Sequence, residues 1–215
     1  MDTFLSTYNH ANGYSNGTIK LTCGNTVTIQ DGTYNVQWMI AGFDVEAGIT
    51  SDGITDNGYG IALIPVSRIF ESNWNANDTL TGYYLKSTMH TTTLPTIATK
   101  LQNILGSHLV NRNVLLRSDT FAYTWTTAYC TLMSSYQLIG ESGYDKYDIG
   151  EANYKLPIFD KITNFGLDLN YRFWIRDTFG YTNKHYNAYR AIYDGTIGYH
   201  PVSYTSGIRP LIYIN

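Results

Sequence analysis

Two runs of the chain concentrate carboxylates. Gly140-Glu141-Ser142-Gly143-Tyr144-Asp145-Lys146-Tyr147-Asp148-Ile149-Gly150-Glu151 carries Glu141, Asp145, Asp148 and Glu151, and the run 51–58 carries Asp52, Asp56 and Asn57. Several carboxylate and carbonyl oxygens suit a hard cation such as calcium, and two facing carboxylates can hydrolyse a glycosidic bond. Neither run has EF-hand spacing, so solvated loop acids are the simpler reading. His10, His90, His108, His185 and His200 show no metal-ligand spacing. His108 follows the end of a helical pattern, where a local hydrogen bond accounts for it. Cys23 and Cys130 stand apart and read as buried free thiols, a disulfide being the less favoured alternative. No nucleophile elbow, H-E-x-x-H, P-loop or G-x-G-x-x-G run occurs. The chain is therefore expected not to be an enzyme and to need no cofactor or metal.

The stronger chemical signal is aromatic. Tyr171, Phe179, Tyr181, Tyr186, Tyr189, Tyr193, Tyr199 and Tyr204 crowd a stretch otherwise rich in Gly, Asn and Thr. A Tyr-rich sheet edge would explain isolated tyrosines. At this density, a contact surface is the better account. Tyr offers large rigid area at low entropic cost, and Ser, Gly and Asn offer adaptable hydrogen bonds, as in antibody paratopes. The residues expected to touch a ligand are Tyr181, His185, Tyr186, Tyr189, Tyr199 and Tyr204. They lie on both sides of an Asp194-Gly195 turn signal, so adjacent strands can pool them into one patch. The segment is bracketed by Phe173-Trp174-Ile175-Arg176-Asp177 and Gly207-Ile208-Arg209-Pro210. Trp174, Arg176, Arg209 and Pro210 are expected to be scaffold. Arginines inside apolar phrases are rarely buried unless paired, so Arg176 and Arg209 should bond loop carbonyls or carboxylates.

Elements must hold these residues. Residues 1–24 are polar and weakly patterned, and read as an N-terminal arm or linker. Residues 25–215 form one domain. Within it Thr26–Gln30 alternates, Asp31-Gly32 signals a hairpin, and residues 34–43 form a second strand. Residues 44–60 read as loop, 61–65 as a short buried strand and 70–82 as loop. Thr93-Leu94-Pro95 opens a helix, with Thr93 as its cap and Ile97, Ala98, Leu101, Ile104 and Leu105 on one face up to Gly106. A second helix is expected over about 127–138. Trp38, Phe43, Leu63, Leu101, Leu132, Trp174 and Ile208 are expected in one core. The pattern is α+β, with two helices and many short strands.

Composition agrees. Of 215 residues, 43% are hydrophobic but only 14% charged, against about 25% charged in an average domain. The 20 tyrosines and 19 glycines favour strands and turns. A net charge of −3 without a basic patch argues against nucleic-acid binding. The opening MDTFLSTYNH has neither a basic region nor an apolar run, so no secretory signal is expected, and no run of about 20 apolar residues predicts membrane insertion.

Several phrases, taken in order, resemble a known family. They are Trp38-Met39-Ile40-Ala41-Gly42-Phe43-Asp44, Ile61 to Pro65, Gly82-Tyr83-Tyr84 followed by Met89, Thr93-Leu94-Pro95, Gly106-Ser107-His108-Leu109, Gly140 to Tyr144, Leu156-Pro157 and the closing WIRD…GIRP. Together they resemble surface proteins of phages and prophages of Gram-positive gut bacteria, related to retroelement-diversified variable proteins. The resemblance leaves the first 24 residues uncovered. It implies a C-type-lectin-like fold with two helices and several short antiparallel strands, and a ligand-facing segment at 178–206 held by Trp174, Arg176, Arg209 and Pro210. It implies a virion-surface protein assembled in the host cytoplasm, binding a host-surface glycan or protein beside other virion proteins, with a homo-oligomer, a trimer by analogy with fibres, expected. A purely structural virion component, a head-decoration or fibre-base protein, is the alternative, and a carbohydrate-active enzyme the third. In diversified relatives AAY codons become NNY codons, which exclude Lys, Gln, Glu, Met and Trp. Lys184 alone breaks that rule between Thr178 and Ser206.

Overall fold

The computed structural model describes residues 2–49, 56–119, 122–140, 154–166, 171–178 and 186–215. The elements in chain order are α1 (Asp2–Thr7), β1 (Thr26–Gln30), β2 (Asn35–Phe43), β3 (Ile61–Pro65), β4 (Phe70–Asn73), α2 (Leu94–Leu105), β5 (Leu109–Val110), β6 (Arg112–Arg117), β7 (Tyr123–Ala128), β8 (Thr131–Leu132), α3 (Ser135–Ile139), β9 (Arg172–Thr178), β10 (Asn187–Ile192), β11 (Ile197–Pro201), β12 (Thr205–Ile208) and β13 (Pro210–Ile214). One sheet runs β1-β2-β3-β13-β5, with β8 also on β13; a second runs β11-β10-β9-β12-β4; β6 and β7 pair by themselves. Pairing is antiparallel except between β9 and β12. The chain is thus mixed α+β, dominated by antiparallel sheet.

The centre of the first sheet, β3 and β13 with the second half of β2, is buried on both faces, which is why those stretches are nearly continuous apolar runs. Side chains alternate across a strand. Trp38 and Ile40 of β2, Ile61 and Leu63 of β3, and Ile212 and Ile214 of β13 enter one core, while Met39, Ala41, Ala62, Ile64, Leu211 and Tyr213 enter another. The amphipathic stripe of α2 closes the first core with Leu94, Ile97, Ala98, Leu101 and Leu105. Six of the seven expected core residues, Trp38, Leu63, Leu101, Leu132, Trp174 and Ile208, are buried together there, and Phe43 packs half-buried against them. Cys130 is buried and Cys23 half-buried, both unbridged, and burial raises both thiol pKa values.

Four expectations are corrected. Thr93 does not cap α2: its backbone is helical (φ −65°, ψ −53°) and its side chain makes no cap bond, because a π-helical turn at Met89–Thr93 already leads into the helix. The single helix expected over 127–138 is instead broken up: 127–128 end β7, 131–132 form β8, and only the stretch from Ser135 is helical. β-branched Thr124, Thr126 and Thr127 suit β7, which pairs with β6 along its whole length. Helix begins only where Ser134 and Gln137 form a reciprocal capping box for α3. The expected loop at 70–82 begins as β4, an edge strand on β12. The N-terminal 24 residues are not a free arm: Leu5 and Tyr14 are buried in the first core. His10 Nδ1 lies 2.8 Å from Asp44 Oδ2 and Tyr14 donates to Asp44 Oδ1 at 2.5 Å, while the His10 ring stacks on Tyr59 at 3.5 Å.

Candidate ligand-binding face

The two bracket phrases become neighbouring strands. Gly207 of β12 lies beside Phe173 of β9 in parallel register. A Cβ on Gly207 would come within 2.7 Å of the Arg172 carbonyl, so only glycine permits this approach. The segment between the brackets supplies β10 and β11 of the same sheet and returns as β12 alongside β9. Trp174 is fully buried and donates its indole N–H to the Ser72 carbonyl at 2.9 Å. Arg209, also fully buried, donates to the carbonyls of Pro65 (2.7 Å), Phe165 and Val66 (3.3 Å). Burial lowers its pKa to about 10. Arg176 reaches the Leu132 carbonyl at 3.5 Å, and Pro210 is buried opposite Leu132. Next to Arg176, Asp177 accepts the Ser135 hydroxyl (2.7 Å) and N–H (2.8 Å). Its burial pushes the carboxyl pKa up, against those hydrogen bonds and the Arg176 charge. All four scaffold residues sit inside the protein.

The expected contact residues divide. The Asp194-Gly195 turn joins β10 to β11 as a hairpin: Gly195 has φ +84°, and Asp194 Oδ1 accepts the Thr196 N–H at 3.0 Å. Tyr189 and Tyr199 face each other across it, edge to face at 6.4 Å. Tyr199 is 46% exposed but Tyr189 only 7%. Tyr189 is thus a correction: its ring supports Tyr199 from the second core instead of standing at the surface. Tyr186 (38%) and Tyr204 (56%) are exposed. Tyr204 lies edge to face with His200 at 4.6 Å. By strand alternation His200 sits on the opposite sheet face from Tyr199, so the single patch expected from sequence is split between two faces. Tyr181 and His185 lie outside the described residues.

Residues far away in sequence complete a cleft with Tyr186. A concavity of about 440 Å³ is lined by Asp78, Tyr83, Asp119 and Tyr186. Asp78 Oδ1 also accepts the Ser203 N–H at 3.2 Å, tying the 74–84 loop to the turn before Tyr204. The sequence carried no spacing signal for Asp78 or Asp119, because 41 residues and a helix separate them.

The acidic runs behave differently. Glu141, Asp145, Asp148, Glu151 and Asp52 lie outside the described residues. Asp56 braces its own loop, accepting the N–H groups of Gly48 (2.6 Å) and Gly58 (2.8 Å), which hold its carboxyl pKa down. Asn57 links to the Asn113 backbone in both directions, at 3.0 and 2.6 Å. His108 Nδ1 meets the Asn215 carbonyl oxygen at 2.9 Å, a long-range partner in place of the local one expected. Among the described residues, no three His, Cys, Asp or Glu side chains gather where a metal would bind. A buried carboxylate that sequence reasoning missed is Glu46. Tyr154 donates to it at 2.6 Å, and Tyr154 in turn meets Gln137 (2.8 Å) and Tyr213 (3.0 Å). Burial raises the Glu46 pKa, with the Tyr154 and Tyr213 hydroxyls and Arg176 and Arg112 opposing.

The fold thus defines an antiparallel α+β domain with three α-helices among the described residues and an aromatic hairpin at one end. No family model, curated protein or solved structure matches the chain.

Proposed function

We propose that the chain is a non-enzymatic virion-surface protein of a bacteriophage, whose C-type-lectin-like domain presents the segment 178–206 to a host glycan or protein. One observation carries this reading. The segment joins two adjacent strands whose bracket residues are buried and braced and adds β10 and β11 to their sheet, while Tyr186, Tyr199 and Tyr204 stand exposed upon it. A rigid frame around exposed aromatic anchors is what a contact surface needs, since a few such anchors carry most binding energy. The phrase resemblance supplies the virion setting. The second reading, a structural virion component, draws on the same exposed rings, which would then pack on neighbouring subunits.

The test is adsorption of purified protein to bacterial cells and to an array of bacterial surface glycans, comparing the native chain with a Tyr186→Ala, Tyr199→Ala, Tyr204→Ala variant. Loss of binding with Tm nearly unchanged is expected. Unchanged binding by a folded variant removes this segment as the contact face.

A further inference from the structure

A cavity of about 390 Å³ lies where the N-terminal segment meets the first sheet, and none of its lining residues belongs to 178–206. Leu5 and Ile61, 5% and 1% exposed, give it apolar wall, and Tyr8, Tyr14 and Tyr59 bring aromatic rings. A concave, mostly apolar site of this size suits a small molecule. Its oriented polar group is His10. The His10 ring stacks on Tyr59, with centroids 3.5 Å apart and planes 7° from parallel, and its Nδ1 lies 2.8 Å from Asp44 Oδ2. Asp44 Oδ1 accepts the Tyr14 hydroxyl at 2.5 Å and the Gly60 N–H at 2.9 Å. Burial first, and then Asp44, raise the Tyr14 pKa, so that hydroxyl keeps its proton and donates. Asp44 is therefore an acceptor on both oxygens. This assigns the proton of a neutral His10 to Nδ1 and leaves Nε2 an acceptor. Asp44 does not line the cavity. With Nδ1 turned to that carboxylate, Nε2 on the other side of the ring is the nitrogen that His10 presents to the cavity. Nε2 has no hydrogen-bond partner among the described residues. The side chain of Asn9, also on the wall, is spent on Ser6 and Asn12.

We infer that this cavity binds a small uncharged phenol, a flat aromatic ring bearing one hydroxyl, whose O–H donates to His10 Nε2. Three features select that class. The Tyr and His rings of the wall favour an aromatic body, through offset or edge-to-face contacts. Leu5 and Ile61 offer no side-chain hydrogen bonds, so a sugar, with a hydroxyl on nearly every carbon, would leave several of them unmet. An anionic acid is disfavoured because Asp44 already sets a negative charge against the His10 ring, and like charges at short range repel. A phenolic O–H, more acidic than that of an alcohol, is the better donor to an imidazole nitrogen. His10 and Asp44 together thus fix where the acceptor stands and which charge the ligand can carry. The site stands whether or not 178–206 is a contact face.

The probes are 4-ethylphenol, ethylbenzene, 4-ethylbenzoate and methyl glucoside, followed on the full chain by calorimetry and ligand-observed NMR. 4-Ethylphenol should bind. Ethylbenzene, nearly the same shape without the hydroxyl, should bind about five- to tenfold more weakly, as loss of one hydrogen bond implies. 4-Ethylbenzoate and methyl glucoside should not displace 4-ethylphenol. His10→Phe keeps a ring against Tyr59 but removes Nε2. It should bring 4-ethylphenol down to the affinity of ethylbenzene while ethylbenzene keeps its own, a split that a merely structural role for His10 would not produce. Because that variant also takes a partner from Asp44, Ala11→Trp is the second test. Ala11 is exposed and lines the cavity, so the indole fills the space from its rim and should exclude both ligands with Tm unchanged. Absence of 4-ethylphenol binding, equal affinity for ethylbenzene, displacement by 4-ethylbenzoate or methyl glucoside, a hydroxyl preference that survives His10→Phe, or full binding by Ala11→Trp would each overturn the inference.

Discussion

Arg209 shows how one side chain can tie together parts of the chain distant in sequence. Its guanidinium reaches three carbonyls, those of Pro65, Val66 and Phe165, from a fully buried position. Lysine keeps the charge but has a compact ammonium that cannot match this fixed fork. Arg209→Lys should therefore cost roughly 2–4 kcal/mol in urea unfolding, the loss of one or two charged hydrogen bonds. Retained stability with lost binding would instead make Arg209 a contact residue. Glu46 makes a different prediction. Its folded pKa is raised above the unfolded value, so its protonated form favours the fold. That contribution is complete below about pH 4.3 and is lost as pH rises through the folded pKa. Relative to Glu46→Gln, the native protein should lose stability as pH rises from about 4.3 through the folded pKa. A difference that stays constant over this window would show that Glu46 titrates alike in both states.

At the scale of elements, α2 and the N-terminal segment are the two pieces whose packing is most easily tested. Leu101→Ala should cost ~2–5 kcal/mol, because the side chain is fully buried in the first core. Leu5→Ala should cost about 2 kcal/mol or more if α1 is integral to that core; a reversible melt with no change would return residues 1–24 to the status of an arm. The reasons α2 was legible and α1 was not are physical. Ile97, Ala98, Leu101 and Leu105 announce a helix face by spacing alone, whereas Leu5 and Tyr14 are isolated apolar residues buried among partners distant in sequence, Tyr14 being bonded to Asp44. The same cause explains the misread 127–138 region: Tyr129, Leu132, Met133 and Tyr136 fit helical spacing, but pairing of β7 with β6 and β8 with β13 overrides it. The bracket residues were readable because arginine inside an apolar run has few explanations. Tyr189 was misplaced because one residue of alternation decides whether a strand tyrosine faces core or water, and composition carries no phase. Asp78, Tyr83 and Asp119 joined Tyr186 only through the fold.

For the whole molecule, the proposal is that a buried frame, in which β9 and β12 lie side by side in parallel, holds an aromatic segment outward on a particle. A single small face gives a weak monovalent contact, and several copies raise avidity by ~10²–10⁴ without new contacts. Light scattering of the purified chain should accordingly report a homo-oligomer, a trimer by the fibre analogy; a stable monomer, together with single copies on particles, would refute this. The exposed rings distinguish the display reading from the structural one, because the two place Tyr199 and Tyr204 in opposite environments while leaving the buried brackets alike. Electron cryomicroscopy of virions that carry this chain is the most direct test. The display account predicts Tyr186, Tyr199 and Tyr204 at the outer surface, in contact with solvent or receptor alone. Finding those three rings packed against neighbouring virion subunits would contradict it.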